Sequence, residues 1–206
     1  MNRRLYLLAI YAAAHVFLFA CSKDDNPEPP VEQVIPLQVG NRWQYRVYLY
    51  ERNGTMYDSS GIYTRTVLRD TTINKSTWYI LNDRTIVQNT SRGYAYYNVA
   101  GNLDVLLYPS ATSGNIGYNY VYPTYTLWVL TTPDAELKPI PDSRQKLTGR
   151  QYKLEYQYNY TSPASLQIQR RQEWVVPAVG MARADLFYRD TDLLQRRLEL
   201  ETYTLK

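Results

Sequence analysis

An all-β domain of antiparallel strands, curled into a strongly curved sheet or partly open barrel, is the fold this sequence predicts. Three observations carry the prediction. Beyond residue 33 the chain is a succession of short runs rich in Tyr, Val, Thr, Leu and Trp, which fit a pleated, half-buried surface. All nine glycines fall in this part, and with Asn and Pro they punctuate those runs as hairpin corners do. No long amphipathic helix pattern stands out there. The stretch 34–206 is long enough to bury one core of its own, and no internal repeat of fixed period divides it.

Residues 43–49 open the pattern. Trp43, Tyr45, Val47 and Leu49 share one face by the two-residue period of a strand, and Asn53-Gly54 then tolerates the positive φ of a tight hairpin turn. Strands are predicted next at 63–69, 77–82, 85–88, 94–99 and 103–108, with Ser91-Arg92-Gly93 and Ala100-Gly101-Asn102 turning two corners. Pro123 interrupts an aromatic stretch, so the following strand is placed after it, at 125–130. The clearest alternation covers 151–160. It sets Tyr152, Leu154, Tyr156, Tyr158 and Tyr160 on one face, with Gln151, Lys153, Glu155, Gln157 and Asn159 on the other. Strands at 166–176 and 181–188 flank Pro177-Ala178-Val179-Gly180. The last run, 193–205, has Leu194 and Leu198 at a helical spacing. Leu194, Leu198, Leu200, Thr202 and Thr204 also share a strand face, and the strand is preferred. Two segments, 110–122 and 133–143, read as irregular and long enough to be functional loops.

The first twenty residues differ in kind. Asn2, Arg3 and Arg4 make a short basic start, and residues 5–19 form an apolar run interrupted only by His15. That is the grammar of a secretory signal, with a run shorter than the ~20 residues needed to span a bilayer as a helix. Ala20 then precedes the single cysteine. Leu18-Phe19-Ala20-Cys21 resembles the lipobox of bacterial lipoproteins. The resemblance implies cleavage before Cys21 and lipid on its thiol, palmitate among the acyl chains, and more than one such chain anchors stably. Ser22-Lys23-Asp24-Asp25 looks like the Lys-acidic-acidic signal that sends lipoproteins of Bacteroidetes-type bacteria to the outer face of the outer membrane. A periplasm-facing position is the alternative. Asn26-Pro27-Glu28-Pro29-Pro30 continues as a proline-rich spacer, and at ~3.1 Å per residue the stretch 23–33 lifts the domain roughly 30 Å off the membrane. The organisation read from sequence is therefore a signal helix at 1–20, a lipidated cysteine and disordered tether at 21–33, and one β domain at 34–206.

Composition narrows the chemistry. The chain has 23 Lys+Arg against 19 Asp+Glu; cleavage removes Arg3 and Arg4 and no acid, leaving 21 against 19. A balance so near neutral lacks the electrostatic footprint of a nucleic-acid binder. The one histidine, His15, leaves with the signal, and the one cysteine is consumed by lipid. The mature domain thus has neither imidazole nor thiol, which excludes Ser-His-Asp and Cys-His catalysis, His-based zinc sites and disulfides. No cofactor and no metal site are expected.

A second resemblance rests on the two ends of the domain. Ile35-Pro36-Leu37-Gln38-Val39-Gly40-Asn41-Arg42-Trp43-Gln44-Tyr45 is similar to the opening of a broad, largely uncharacterised group of bacterial lipoproteins that begin Pro-Leu-x-x-Gly-Asn-x-Trp-x-Tyr. Glu173-Trp174, Pro177-Ala178-Val179-Gly180-Met181 and the run to Leu205 look like that group's closing strands. The resemblance implies a β-rich fold and an envelope location, and no activity. In physical terms, Gly40-Asn41 turns the chain into the first long strand, and Trp43 and Tyr45 plug the core.

Tyrosine is the outstanding excess, with 20 of the 22 lying beyond the signal. The densest cluster is Tyr118, Tyr120, Tyr122, Tyr125 and Trp128, a candidate stacking platform for a sugar, peptide or envelope protein, or else a Tyr-rich strand surface. Glu199 and Glu201 share a face if the last run is a strand, about 6.5–7 Å apart, a spacing compatible with glycoside hydrolysis or with a solvated acidic stripe. Asp190 and Asp192 lack further oxygen ligands for calcium. Arg170-Arg171 and Arg196-Arg197 put one Arg on each strand face, suited to carboxylate or phosphate recognition or to solvation. The expectation is a non-enzymatic binding or structural module of the cell envelope, with no catalytic residues and with the membrane, a glycan, a peptide or an envelope protein as partner. A lipid or lipoprotein carrier with an apolar cleft is the alternative, and a carboxylate-based glycan hydrolase ranks last.

Overall fold

The computed structural model describes residues 33–110 and 116–206. The signal, Cys21 and the tether through residue 32 lie outside the described residues. The described residues form twelve antiparallel strands: β1 (Arg42–Tyr50), β2 (Met56–Ile73), β3 (Ser76–Leu81), β4 (Ile86–Thr90), β5 (Gly93–Asn98), β6 (Leu103–Pro109), β7 (Ile116–Val121), β8 (Tyr125–Pro139), β9 (Thr148–Thr161), β10 (Ala164–Val176), β11 (Gly180–Phe187) and β12 (Leu194–Thr204). They make one sheet in the order β6-β5-β4-β3-β2-β1-β12-β11-β10-β9-β8-β7. The first and last strands pair at its centre, and two meanders run outward from them.

The sheet curls until its edges, β6 and β7, come near each other, and side chains close the seam. Asn98 Nδ2 donates to Tyr118 Oη (2.7 Å) and Tyr120 Oη to the Ala100 carbonyl (3.0 Å). Arg150 Nη1 donates to the Ser110 carbonyl (2.8 Å) and Tyr152 Oη to that of Pro109 (3.2 Å). Edge strands invite pairing with other chains, and a nearly closed barrel masks them.

The all-β, curved architecture and the strand at the C-terminal end agree with the sequence reading. Two readings are corrected. Residues 110–122 are not one irregular loop, because β7 occupies Ile116–Val121 and pairs with β8 from Ile116 opposite Thr131 to Val121 opposite Thr126. Gly117 and Asn119 alternate with Tyr118 and Tyr120 and disguise a period-two pattern as a turn. Nor are residues 133–143 irregular throughout. β8 runs on to Pro139, and Pro133 sits beside a register shift in the β8–β9 ladder that accommodates its missing N–H. The true connection is the shorter stretch 140–147.

One end of the interior is filled. Val34, Ile35 and Leu37 are buried with Trp43 and Tyr45. Gly40 adopts φ +94° to swing the chain into β1, and buried Asn41 clasps both termini: its Nδ2 donates to the Pro36 carbonyl (3.1 Å) and its Oδ1 accepts from Lys206 N (2.9 Å). Trp43 Nε1 donates to the Val179 carbonyl (2.6 Å) and Tyr45 Oη to that of Met181 (3.1 Å). Gly180 lies between those two carbonyls at φ +109°, and a Cβ there would meet Trp43 Nε1 at 3.2 Å. The opening and closing motifs of the sequence are thus two halves of one packed unit.

Candidate functional site

Farther along the same interior the packing gives way to a cavity of about 590 Å³, within the range of small-molecule sites. Its wall combines Val47, Leu107, Met181 and Leu198 with Tyr63, Tyr96, Tyr108 and Tyr156, and with Arg65, Arg171, Glu173 and Arg196. Strand alternation delivers these side chains inward. Trp43, Tyr45 and Val47 of β1 lie opposite Arg65, Tyr63 and Gly61 of β2. Val47 and Leu49 lie opposite Leu198 and Arg196 of β12, and Tyr152 and Leu154 of β9 opposite Glu173 and Arg171 of β10. Gly61 lies so close against Val47 that a Cβ there would meet the Val47 Cβ at 3.1 Å.

The charged groups differ in how well they are matched. The Glu173 side chain is 2% exposed and both its oxygens are engaged, Oε1 by Arg171 Nη2 and Oε2 by Tyr108 Oη. Arg171 also reaches the Tyr156 phenol. Burial and the neighbouring Glu173 carboxylate push the Tyr108 hydroxyl well above the ordinary tyrosine range, so it stays a donor. Its ring stacks on Tyr94 at 5.3 Å and lies 4.9 Å from Tyr152. Asp83 accepts from Tyr63 Oη (2.9 Å) and Thr85 N (3.0 Å). Burial opposes its ionisation, but the Thr85 hydrogen bonds and the Arg65 charge outweigh this and hold its carboxyl below the usual range.

The Asp83 carboxylate acts on Arg65 through space without forming an ion pair with it. Among the described residues Arg65 forms no ion pair; Nη2 reaches Tyr94 Oη at a long 3.4 Å, and buried Nε has no hydrogen-bond partner. Arg196 likewise has no ion pair among the described residues.

The tyrosine cluster expected from the sequence is assembled only in part. Tyr120 and Tyr122 rings lie 4.4 Å apart, Tyr122 and Tyr125 4.6 Å, and Tyr125 contacts Tyr158 and Tyr160 at 5.7 and 5.4 Å. Tyr118 and Tyr120 use their hydroxyls on the seam. Trp128 pairs across the ladders with Asn119 and Gln157, one position out of phase with buried Val129, so it faces the other side of the sheet at 42% exposure. A flat platform of all five rings does not exist.

The acids are accounted for on the outer face. Glu201 accepts from Arg46 Nε (2.5 Å) and Glu199 from Arg144 N (3.1 Å). Asp190 caps Ile168 N at 2.6 Å and Asp192 pairs with Arg170 at 2.9 Å. Beneath the stretch 140–147, buried Asp185 is held by Arg183 and Arg197 at 2.6 and 2.8 Å, and Arg183 lies over the Trp174 ring at 4.7 Å. Both arginines share the one carboxylate, and Arg183 Nη1 donates to the Pro141 carbonyl (2.6 Å), which ties the loop to the sheet.

Fold and site together define a nearly closed antiparallel β-barrel with a polar, tyrosine-walled internal cavity. No family model matches the chain, and no curated protein matches it. Among solved structures, it is similar to a candidate exported protein with a YmcC-like fold from Bacteroides fragilis NCTC 9343 (TM-score 0.45, 11% identity, covering 83% of this chain and 98% of that one). A candidate lipoprotein from Parabacteroides distasonis ATCC 8503 is similar at TM-score 0.49 and 12% identity, covering 85% of this chain and 100% of that one.

Sequence reading missed Arg65 as a site residue, although a signal was present. In the strand predicted at 63–69, Arg65 shares the face of Tyr63 and Val67, and a charge on the apolar face of a strand marks a buried polar site.

Proposed function

We propose that this chain is a lipid-anchored protein of the cell envelope whose β domain is a non-enzymatic binding module, with the 590 Å³ cavity as its binding site. The cavity carries the reading. A barrel of this size can fill itself, as the Trp43–Tyr45 end does, and the other end holds a space walled by oriented polar groups and aromatic faces. Lipidation of Cys21 and outward display on the outer membrane follow from the lipobox-like and Lys-acidic-acidic stretches.

A carrier of long acyl chains needs a continuous apolar cleft, and Arg65, Arg171, Glu173 and Arg196 in this wall disfavour it. A hydrolase built on Glu199 and Glu201 is disfavoured because both are tied to arginine or backbone partners outside the cavity. Tyr118 of β7 and the neighbouring Tyr122 lie near Tyr96, a cavity-lining phenol that burial pushes up.

Two measurements test this. Palmitate labelling is expected for the native chain and not for Cys21→Ser; a secreted, unlabelled native product overturns the anchor. Leu198→Trp fills the cavity from β12, so any small molecule that the full chain carries out of the envelope should be lost from this variant. Equal retention by both chains overturns the cavity as the site.

A further inference from the structure

We infer that the cavity takes a small acid, a carboxylate- or phosphate-bearing molecule whose anionic oxygens are held by Arg65 and Arg196 while its body lies against tyrosine faces. This rests on the cavity being the binding site.

The wall holds three guanidinium groups, Arg65, Arg171 and Arg196, against two carboxylates, Asp83 and Glu173. Glu173 is consumed by Arg171 and Tyr108. Asp83 is occupied by Tyr63 and Thr85, and no arginine forms an ion pair with it. The wall therefore carries one positive charge in excess, and neither Arg65 nor Arg196, which stands exposed at the cavity mouth, has a carboxylate within ion-pair distance among the described residues. Arginine cannot neutralise itself by losing a proton, so the excess charge persists at any ordinary pH and favours entry of an anion. The guanidinium fork suits planar or tetrahedral oxyanions, which it binds through parallel N–H donors.

The surroundings sharpen the class. Burial disfavours the charged form of Arg65, and the phenols of Tyr94, Tyr45 and Tyr108 together with the Asp83 carboxylate outweigh this and keep it charged. Tyr63, Tyr96, Tyr108 and Tyr156 offer flat faces with polar edges, and Val47, Leu107, Met181 and Leu198 offer limited apolar contact. Such a wall suits a compact ring or sugar acid better than a long alkyl chain. Bare inorganic phosphate would leave most of the volume unused.

The test extracts the full chain in detergent from the envelope of its own host and identifies by mass spectrometry the molecules that denaturation releases. The expected result is an acid, with fragmentation telling carboxylate from phosphate. Its affinity on rebinding should fall about 10- to 100-fold in Arg196→Met, the loss expected for one charge-assisted hydrogen-bonding group. Arg196 forms no ion pair that the fold requires, so this variant is expected to fold; Arg65→Met should give a comparable loss, and Arg65→Lys a smaller one. A neutral or cationic molecule, kept by Arg196→Met and lost from Leu198→Trp, overturns the anion assignment and leaves the binding module standing. No molecule retained above the Leu198→Trp level overturns both.

Discussion

The two ends of the barrel interior obey the same strand alternation and reach opposite outcomes. At the first, Trp43 and Tyr45 point inward beside Ile35 and Leu37, and their polar tips find the carbonyls of Val179 and Met181. Both aromatic side chains there have a packing partner and a hydrogen-bond partner, and little space remains. At the second, the inward positions carry Arg65, Arg171 and Arg196, and the space stays open around charges that are only partly matched. A period-two pattern thus determines which side chains enter a barrel. Their volume and charge determine whether the interior becomes core or site.

The contrast can be broken from the filled end first. Trp43→Ala removes a side chain only 2% exposed and strands the Val179 carbonyl. The expected loss is about 3–5 kcal/mol, measured by urea denaturation; a loss under about 1 kcal/mol would mean that this end is not the stabilising core. Next comes the hinge between the two regions. Glu173→Gln takes the negative charge from a buried pair, leaving Arg171 uncompensated, at a cost of roughly 3 kcal/mol. A stability equal to wild type would show that the pair contributes nothing.

Alkali probes both ends together. Burial raises the hydroxyls of Tyr45, Tyr94, Tyr96, Tyr108 and Tyr156 above their ordinary value. Unfolded tyrosines ionise near pH ~10. The stabilisation from keeping these groups neutral is therefore complete below that pH and is lost as pH rises toward the folded-state values. The denaturation midpoint should hold steady through neutral pH and fall steeply above about pH 10, in step with tyrosinate absorbance. A flat midpoint to pH ~12 would contradict the burial of these phenols. The smallest effect is expected outside the barrel: Trp128→Ala should shift stability by about 0.5–1 kcal/mol and leave ligand retention unchanged. Loss of retention would return the outer face to consideration.

How far the sequence could be read depended on the range of the interaction involved. Tyr152, Leu154 and Tyr156 announced a shared face by spacing alone, and the ladder with β10 places them opposite Glu173, Arg171 and Gln169. Trp43 and Tyr45 were legible as core for the same reason. β7 escaped notice because Gly117 and Asn119 carry turn preferences that pairing with β8 overrides. Trp128 was grouped with nearby tyrosines by proximity in sequence, whereas one position in register puts it on the opposite face. Arg196 shares the face of Leu194, Leu198 and Leu200 by the same spacing, whereas apolar residues on both faces of the run 166–176 conceal which of Arg170 and Arg171 turns inward.

By itself, the order of residues determined the strand faces, the punctuation between them, and the absence of imidazole and thiol side chains beyond Cys21. These are local or compositional properties, settled within a few residues of chain. Only the tertiary structure brought Arg65 from β2, Arg171 and Glu173 from β10 and Arg196 from β12 around one cavity, and only it made Glu173 the partner of Arg171 and Tyr108 rather than of Arg65. Electrostatic matching depends on through-space distance, and distance between remote strands exists only after the barrel has curled.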